Sequence, residues 1–296
     1  MPELPEVETT ARGLRRNIVG RKIVDIWTDW PKYFQFPKTV KAFKKRVLGK
    51  KIIGVRRRGK NVLIELSGGY LLLIHQKMTG HLLVGTWKLE DGKWESTNKS
   101  GLMTDPKNGF IRLILFLDKN KKTKDTMIAL SDLRRFAKII CGSEKEVLKL
   151  PDLSNLGPEA LDINHDEFRK ILNRKRGKIK KVLMDQSVVA GIGNIYSDEI
   201  LYSARIHPLS LVEKLGDKDI HKLYLAMSTI LSKGIKLGGT STDDFRGVNG
   251  QRGKYGGELV VYRKIGRKCP RGHEIKRIKI NSRSAHFCSV CQRLIH

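Results

Sequence analysis

The first residues of the chain combine a potential nucleophile with a potential proton carrier. Pro2 follows the initiator methionine and is small enough for that methionine to be removed, which would leave a free secondary amine. Such an amine, with a pKa of about 8, can attack an aldehyde-like carbon and hold it as an iminium. Glu3 stands next to it as a general acid or base. Taken alone, the Pro-Glu pair more often marks an ordinary helix start, so its chemistry depends on the rest of the chain.

The C-terminal tail carries a second set of reactive residues, three of the four cysteines and a histidine. Cys269 and His273 form one pair, and Cys288 and Cys291 form another after an interval of fourteen residues. Two pairs at such a separation are typical of a closed tetrahedral zinc site, which stabilises a fold and leaves no position open for catalysis. We therefore predict one structural Zn²⁺ ion. The alternatives for the fourth ligand are His286 and His296.

The charge of the chain indicates a polyanionic partner. Its 296 residues include 59 Lys and Arg against 30 Asp and Glu, a formal net charge of +29. A charge this large repels itself unless a polyanion neutralises it, so we expect nucleic acid as the partner. An anionic membrane is the rival, but the sequence has no run of about 18 apolar residues and no signal peptide. Because the thiols cluster instead of spreading through the chain, a reducing compartment, the cytoplasm, is expected.

Two turns contain side chains suited to opening a stack of bases. Arg134 and Phe136 combine a guanidinium with an aromatic ring, which together can fill and wedge open such a stack. Met78 lies in a turn that ends at Gly80 and offers an apolar wedge. The alternatives are a core phenylalanine at a strand end and a methionine that fills the core.

A glycine-rich turn, Gly191-Ile-Gly-Asn194, precedes a predicted helix. Glycines allow the backbone to approach a ligand, and the free amides and the dipole of a helix start favour phosphate. Asn194 is placed to cap the helix or to donate to a phosphate, and Lys180, with its lysine neighbours, adds positive charge. A simple cap between two helices would use the same residues.

Hydrophobic periodicity predicts two kinds of structure along the chain. A helix over residues 5–18 precedes short runs that are typical of a β-sandwich or barrel. The predicted strands are Lys22–Trp27, Lys51–Arg56, Asn61–Leu66, Tyr70–His75, Phe110–Leu117, Thr126–Asp132 and Ala137–Cys141. After a linker at Leu150–Pro158 the period becomes helical. The predicted helices span residues 165–174, 178–186, 194–204 and 217–235.

Three segments are predicted to be loops. Residues 85–109 form a polar surface hairpin, and the lysine-rich run Lys119–Asp125 forms a solvated connection. Residues 238–257, with seven glycines, form a mobile loop. The domains expected from this organisation are 1–149, a β-sandwich, 150–237, a helical domain, and 238–296, the loop and the zinc finger.

Together these segments resemble the bacterial formamidopyrimidine-DNA glycosylases. The motifs that carry the resemblance are PELPEVET at the start, RRRGKNVL at 56–63, HQKMTGHL at 75–82, LRRFAK at 133–138, LMDQSVVAGIGNIYSDEIL at 183–201 and the terminal finger pattern. The match spans nearly the whole chain. The acidic start resembles this branch, since the sister endonuclease VIII branch usually has glycine at the position of Leu4.

The resemblance implies an α+β fold, in which an N-terminal β-sandwich with a leading helix is followed by a helix–two-turn–helix domain and a C-terminal zinc finger. It implies a bifunctional DNA glycosylase and abasic-site lyase that excises 8-oxoguanine and formamidopyrimidines from double-stranded DNA and completes β,δ-elimination. One structural zinc ion is the only cofactor implied. We expect a monomer.

The resemblance also implies roles for individual residues. Pro2 would be the nucleophile at the sugar C1′, Glu3 the proton donor and acceptor, and Lys60 a phosphate contact near the lesion. The gap left by the flipped nucleotide would be filled by Met78, Phe136 and Arg134, the last pairing with the orphan cytosine. The DNA backbone would be bound by Lys180, Asn194 and Arg283. The segment Thr240–Tyr255 would close over the extruded base.

The chain departs from the family pattern in places. Gly272 occupies the position of the family's second metal-binding cysteine, so we expect a Cys₃His site that includes His273. Leu133 and Ala137 replace the proline and glycine that commonly flank the Arg-Arg-Phe segment. Two other functions stay open. One is excision of oxidised pyrimidines, as in the endonuclease VIII branch, and the other is a non-catalytic DNA-binding zinc protein.

Overall fold

The computed structural model of the chain describes residues 1–98, 100–119 and 126–296. Most of the predicted connection at Lys119–Asp125 therefore lies outside the described residues. Within the described part of the chain, no helix is both long enough and apolar enough to cross a membrane.

The chain forms two compact units, and each is discontinuous in sequence. The first comprises Met1–Ser154 and Leu237–Lys254, and the second comprises Asn155–Lys236 and Tyr255–His296. Residues 237–254 therefore pack with the N-terminal unit, although the division expected from the sequence placed most of them with the zinc finger. The physical reason is a set of hydrogen bonds and ion pairs with the first unit, described below.

The first unit contains the predicted leading helix and the predicted strands. Its helices are α1 Leu4–Ile18, α2 Val40–Val47, α3 Gly101–Thr104, α4 Glu144–Lys149 and α5 Pro151–Ser154. Its strands are β1 Ile23–Thr28, β2 Phe34–Phe36, β3 Ile52–Arg58, β4 Asn61–Leu66, β5 Tyr70–His75, β6 His81–Gly85, β7 Trp87–Glu90, β8 Lys93–Ser96, β9 Ile111–Leu117, β10 Met127–Ser131 and β11 Lys138–Ser143. The leading helix and each predicted strand are confirmed to within two residues at either end.

Two sheets form a sandwich in this unit. Strands β1, β9, β10 and β6 are antiparallel neighbours in that order, and the second sheet runs β2, β11, β5, β4, β3 with only the β2–β11 pair parallel. Leu115 of β9 and Leu72 of β5 belong to one buried core, to which α1 contributes Val7 and Leu14. The predicted β-sandwich with a leading helix is confirmed.

The segment 85–109 is only partly the predicted surface hairpin. Strands β7 and β8 pair as an antiparallel hairpin. The residues after them form α3 and a 3₁₀ turn at Pro106–Gly109, and Asn108 is only 1% exposed. The prediction is therefore wrong for this second half, because the side chains of Asp105 and Asn108 make contacts inside the unit.

The second unit is helical and ends in a β-hairpin. Its helices are α6 His165–Asn173, α7 Ile179–Met184, α8 Asn194–Ala204 and α9 Asp217–Lys236. Its strands, β12 Ile275–Ile280 and β13 Arg283–Cys288, pair antiparallel. The four predicted helices are confirmed, and α8 lies against α7, α9 and β13.

Candidate functional site

A buried carboxylate holds the N-terminal residues at the start of α1. Glu6 is 1% exposed, and its Oε2 accepts a hydrogen bond of 2.9 Å from the backbone N–H of Glu3. Its Oε1 accepts another, of 2.6 Å, from the N–H of Thr240. Pro2 and Glu3 are buried beside it. Glu6 therefore fixes the backbone next to Pro2 and joins it to residues 237–254. Glu3 and Glu6 have the spacing of a capping box, so the role of Glu6 could have been predicted from the sequence.

Helix α1 also anchors the turn that carries Lys60, which lies between β3 and β4. Glu8 of α1 accepts a hydrogen bond of 3.0 Å from Nε of Arg57. The same guanidinium donates to the carbonyl oxygen of Gly59 at 3.1 Å. Lys60 itself is only 7% exposed. One helix therefore positions both Glu3 and Lys60.

The turn that carries Met78 is shaped by a neutral histidine. Burial, together with the charges of Lys77 and Lys60, lowers the pKa of His75 to about 3, so its ring is neutral at neutral pH. Its Nδ1 accepts a hydrogen bond of 3.0 Å from the N–H of Lys77, whose backbone has a left-handed φ of 53°. This contact directs the chain into the turn at Met78.

Asp132 holds together the two turns that carry Met78, Arg134 and Phe136. Its fully buried carboxylate accepts hydrogen bonds from the hydroxyl of Thr79, from the hydroxyl of Tyr33 at 3.1 Å and from the N–H of Ala137 at 2.9 Å. The Thr79 oxygen in turn accepts from the N–H of Arg134 at 3.0 Å. Sequence reasoning missed this role, because the partners of Asp132 lie far from it along the chain.

The side chains on these two turns are unusually exposed for their type. Met78 is 38% exposed and Phe136 is 50% exposed. The guanidinium carbon of Arg134 lies 4.6 Å from the centre of the Phe136 ring. Large apolar side chains that share an exposed surface with a cation indicate a binding surface rather than a core. The structure therefore brings the three predicted gap-filling residues onto adjoining turns.

Removal of the Asp132 carboxylate is expected to loosen both turns. In Asp132→Ala three buried donors lose their acceptor, so the free energy of unfolding should fall by about 3 kcal/mol or more. Tyr33→Phe removes one of the three hydrogen bonds and should lower it by about 1 kcal/mol. Equilibrium unfolding in urea measures both values. An Asp132→Ala protein as stable as the unmodified one would contradict the role given to this carboxylate.

In the second unit, Lys180 is buried in an ionic cluster. Its side chain is 1% exposed, and Nζ lies 2.5 Å from Oδ1 of Asp198 and 3.1 Å from Oγ of Ser197. Nζ also donates to the carbonyl oxygen of Asn194 at 3.4 Å. The predicted grip of Lys180 on the DNA backbone fits this geometry poorly, because its ammonium already has three acceptors in the interior. It is better placed to hold the start of α8.

Helix α8 also anchors the tail through two acidic residues that sequence reasoning did not select. Oδ2 of Asp198 accepts hydrogen bonds of 3.0 Å from both the N–H and Nδ1 of His286. Glu199 accepts from the N–H groups of Val260, Val261 and Tyr262 at 2.8–2.9 Å. Burial raises the pKa of Glu199 despite these three donors.

The other two predicted backbone-binding residues differ in their exposure. Asn194 is the first residue of α8, and its Oδ1 is buried with no hydrogen-bond partner among the described residues. Arg283 follows the turn between β12 and β13 and lines a cavity of about 270 Å³ together with Lys181 and Lys180. Arg283 and Lys181, both exposed, contribute positive charge to this cavity, and Asp185 contributes one negative charge.

The four predicted metal ligands converge. One ligand atom from each of Cys269, His273, Cys288 and Cys291 lies within 4.8 Å of the others. Tetrahedral Zn–S bonds of about 2.3 Å place two sulfurs about 3.8 Å apart, and the Sγ atoms of Cys269 and Cys291 are 3.8 Å apart. Gly272, with φ +83°, makes the turn that brings His273 back to Cys269. The alternative ligand His286 is instead bound to Asp198.

Comparisons with known proteins cover almost the whole chain. The family description "Formamidopyrimidine-DNA glycosylase N-terminal domain" matches residues 1–139, and "Formamidopyrimidine-DNA glycosylase H2TH domain" matches residues 156–246. The formamidopyrimidine-DNA glycosylase of Pelotomaculum thermopropionicum is 36% identical over 297 aligned residues, which cover 99% of this chain and 100% of the relative. That of Lactococcus lactis subsp. cremoris is 37% identical with the same coverage.

Solved structures of the Lactococcus lactis protein are similar throughout. A complex of an Fpg mutant with DNA that contains Fapy-dG has a TM-score of 0.83 and 35% identity, covering 99% of this chain and 100% of that one. A complex of Fpg with DNA that contains an abasic site has a TM-score of 0.82 and 35% identity, covering 98% and 99%. The matched domains and the full-length similarity show that this chain belongs to the formamidopyrimidine-DNA glycosylase family.

Proposed function

We propose that the chain, a DNA glycosylase of base excision repair by family membership, excises oxidised purines from duplex DNA through the amine of Pro2. The similar solved complexes hold DNA with Fapy-dG or with an abasic site, which are the substrate and the intermediate of such a reaction. The observation that carries the proposal in this chain is the buried Glu6, which fixes the backbone of Glu3 beside Pro2. A nucleophile and a proton carrier are thereby held at one position.

The chemistry follows from these two groups. The amine of Pro2, freed when Met1 is removed, attacks C1′ of the sugar, and the bond from C1′ to the damaged base breaks as the base takes up a proton. Glu3 supplies a proton to the opening sugar ring, so that Pro2 remains bonded to C1′ as an iminium. The iminium acidifies the C2′ proton, which leaves to a base, and the electron pair expels the 3′ phosphate. A second elimination expels the 5′ phosphate.

A base inside a duplex is out of reach of Pro2, so the nucleotide must first leave the stack, which costs a few kcal/mol. The exposed Met78, Arg134 and Phe136 would fill the gap, and Arg134 has the donors to pair with the orphan base. Arg283 and Asn194 would bind phosphates and offset the cost electrostatically.

The tail would hold one Zn²⁺ ion through Cys269, His273, Cys288 and Cys291, since the separation of the sulfurs fits a tetrahedral site. The ion would take no part in the reaction and would hold the β12–β13 hairpin, which carries Arg283, in its folded form. Reduced thiols at this site and the bacterial origin of the relatives favour the cytoplasm. The monomeric state stays a prediction.

Borohydride trapping with a panel of duplexes tests the substrate class. We expect a covalent adduct with 8-oxoguanine opposite cytosine and with a formamidopyrimidine, followed by a one-nucleotide gap. An adduct formed only with 5-hydroxyuracil would assign the chain to the pyrimidine-lesion branch. Binding without an adduct on any lesion would indicate a non-catalytic DNA-binding protein.

Loss of the Lys60 ammonium should slow release of the damaged base more than it slows nicking at an abasic site. Lys60→Ala is expected to slow release of 8-oxoguanine by about ten-fold or more, because a charge-assisted phosphate contact near the lesion is lost. Nicking at a preformed abasic site should slow much less. Single-turnover rates on the two duplexes measure this difference, and Lys77→Ala, which removes a nearby lysine, is the matched control. An equal loss on both duplexes would contradict a role at the lesion.

A further inference from the structure

The segment 100–109, which sequence analysis left without a function, is bonded to residues 240–252. Nε of Arg246 lies 2.5 Å from Oδ2 of Asp105. Nδ2 of Asn108 donates to the carbonyl oxygen of Gly250 at 3.1 Å. Nζ of Lys107 lies 2.6 Å from Oδ1 of Asp244. Three successive contacts therefore join two segments that are more than a hundred residues apart in sequence, both in the first unit.

The contacts of Arg246 and Asn108 are largely buried. The Arg246 side chain is 5% exposed and Asn108 is 1% exposed. Each polar atom of the Asn108 amide has a partner, because Nδ2 also donates to the carbonyl oxygen of Gly101 at 2.7 Å and Oδ1 lies 3.1 Å from Nε2 of His81. Burial opposes ionisation of Asp105, yet the hydrogen bond from Arg246 and the N–H of Lys107 lower its pKa.

Backbone contacts are equally close at this junction. Gly250 has φ +79°, and a Cβ atom there would lie 2.6 Å from Nδ2 of Asn108 and from the backbone nitrogen of Leu102. The N–H of Val84, in β6, donates to the carbonyl oxygen of Val248 at 2.7 Å. Residues 240–252 are therefore packed against β6 and the segment 100–109, which is at odds with the mobile loop predicted for residues 238–257.

The opposite end of the same segment reaches the candidate catalytic residues. The N–H of Thr240 bonds to Oε1 of Glu6, whose Oε2 binds the N–H of Glu3. One continuous set of contacts thus runs from Glu3 through residues 240–252 to Asp105 and Asn108.

We propose that Asp105, Lys107 and Asn108 are positioning residues that order the segment 240–252 before DNA binds and so set the specificity for nucleotides that still carry a damaged base. The inference rests on the proposed function, in which this segment covers the extruded base. A segment that is already ordered loses less conformational entropy when it closes on a base, so it contributes more to binding. An abasic nucleotide has no base for this segment to cover. The rate of nicking at an abasic site should therefore not depend on whether residues 240–252 are ordered.

The test compares Asp105→Ala and Asn108→Ala with Glu95→Ala, which removes an exposed charge from β8 of the neighbouring hairpin. We expect kcat/KM for 8-oxoguanine excision to fall by about ten-fold or more in the first two variants, with nicking at a preformed abasic site unchanged within about two-fold. Glu95→Ala should match the unmodified protein on both duplexes. Retained abasic-site nicking also shows that the variants fold.

Limited trypsin digestion of the free protein gives a readout that does not depend on catalysis. Cleavage after Arg246 or Arg252, located by mass spectrometry, should be about ten-fold faster in Asp105→Ala and Asn108→Ala than in Glu95→Ala. Lys107→Ala, which removes the ion pair with Asp244, should also speed cleavage after Arg246 or Arg252 relative to Glu95→Ala.

The outcomes separate the two proposals. Unchanged digestion and unchanged excision in Asp105→Ala and Asn108→Ala would overturn the positioning role, and so would an equal loss on both duplexes. An unmodified protein that excises no lesion would overturn the proposed function, whereas the digestion result would still report on the order of residues 240–252.

Discussion

Replacement of Pro2 by a bulky residue is expected to abolish covalent capture of DNA. Pro2→Leu places a bulky residue after Met1, so the methionine stays and the amine that attacks C1′ is displaced by one residue. Borohydride trapping on 8-oxoguanine duplexes should then fall by about 10³-fold or more, as it does when a covalent nucleophile is removed from an enzyme. Pro2→Gly puts a primary amine at the position of the secondary amine of Pro2 and should retain part of the reaction, which distinguishes loss of the amine from loss of the ring.

Glu3→Gln is the matched control for that experiment. It keeps the amine of Pro2 and the backbone N–H that binds Glu6. Excision of 8-oxoguanine should fall by about 10²-fold, because proton transfer by the carboxylate is lost, whereas a preformed abasic aldehyde should still be trapped. Undiminished trapping by Pro2→Leu would place the nucleophile elsewhere, on a lysine for example.

The sequence alone was sufficient for the parts of the molecule that depend on local patterns. The periodicity of α1, the seven predicted strands of the sandwich and the spacing of the tail cysteines each act over a few residues, and each was confirmed. Strands β2 and β6 and the short helices α2, α3, α4 and α5 were missed. Phe43 and Val47 of α2 are buried, but the helix also carries three basic residues in its last turn, so its apolar face is too short to dominate the pattern.

Contacts between residues far apart in the chain could not be predicted from the sequence. Asp132 binds Thr79 and Tyr33, which are 53 and 99 residues away, and nothing in the local sequence distinguishes it from an aspartate in a turn. Lys180 was predicted to reach DNA because it is a lysine beside a glycine-rich turn. Its burial depends on the ion pair with Asp198, which lies on the next helix, α8. Residues 238–257 were predicted to form a mobile loop from their glycines alone. The residues that hold this segment, Asp105 and Asn108, lie more than a hundred positions earlier in the chain.

Loss of the metal should also remove DNA binding, because the C-terminal tail would lose its folded structure. The apolar cluster around the four ligands is small, with Val261, Ile275 and two of the ligand cysteines as its buried members. Such a cluster cannot by itself stabilise the hairpin, so the ion would supply most of the free energy of folding there. Without the ion, the turn that presents Arg283 would lose its structure, and the basic cavity beside Lys181 would lose one wall.

Cys291→Ser is therefore expected to lower the affinity for abasic-site duplexes by about 10²-fold or more and to leave the protein without stoichiometric zinc. Chelation of the unmodified protein should have the same effect, and added Zn²⁺ should reverse it only there. Cys141→Ala is the matched control, because this thiol is fully buried in the sandwich core and burial raises its pKa to about 12. That variant should keep its zinc and its affinity for DNA while losing some stability. Full affinity in a demonstrably metal-free protein would show that the hairpin folds without the ion, and the tail would then owe its structure to Asp198 and Glu199 on α8.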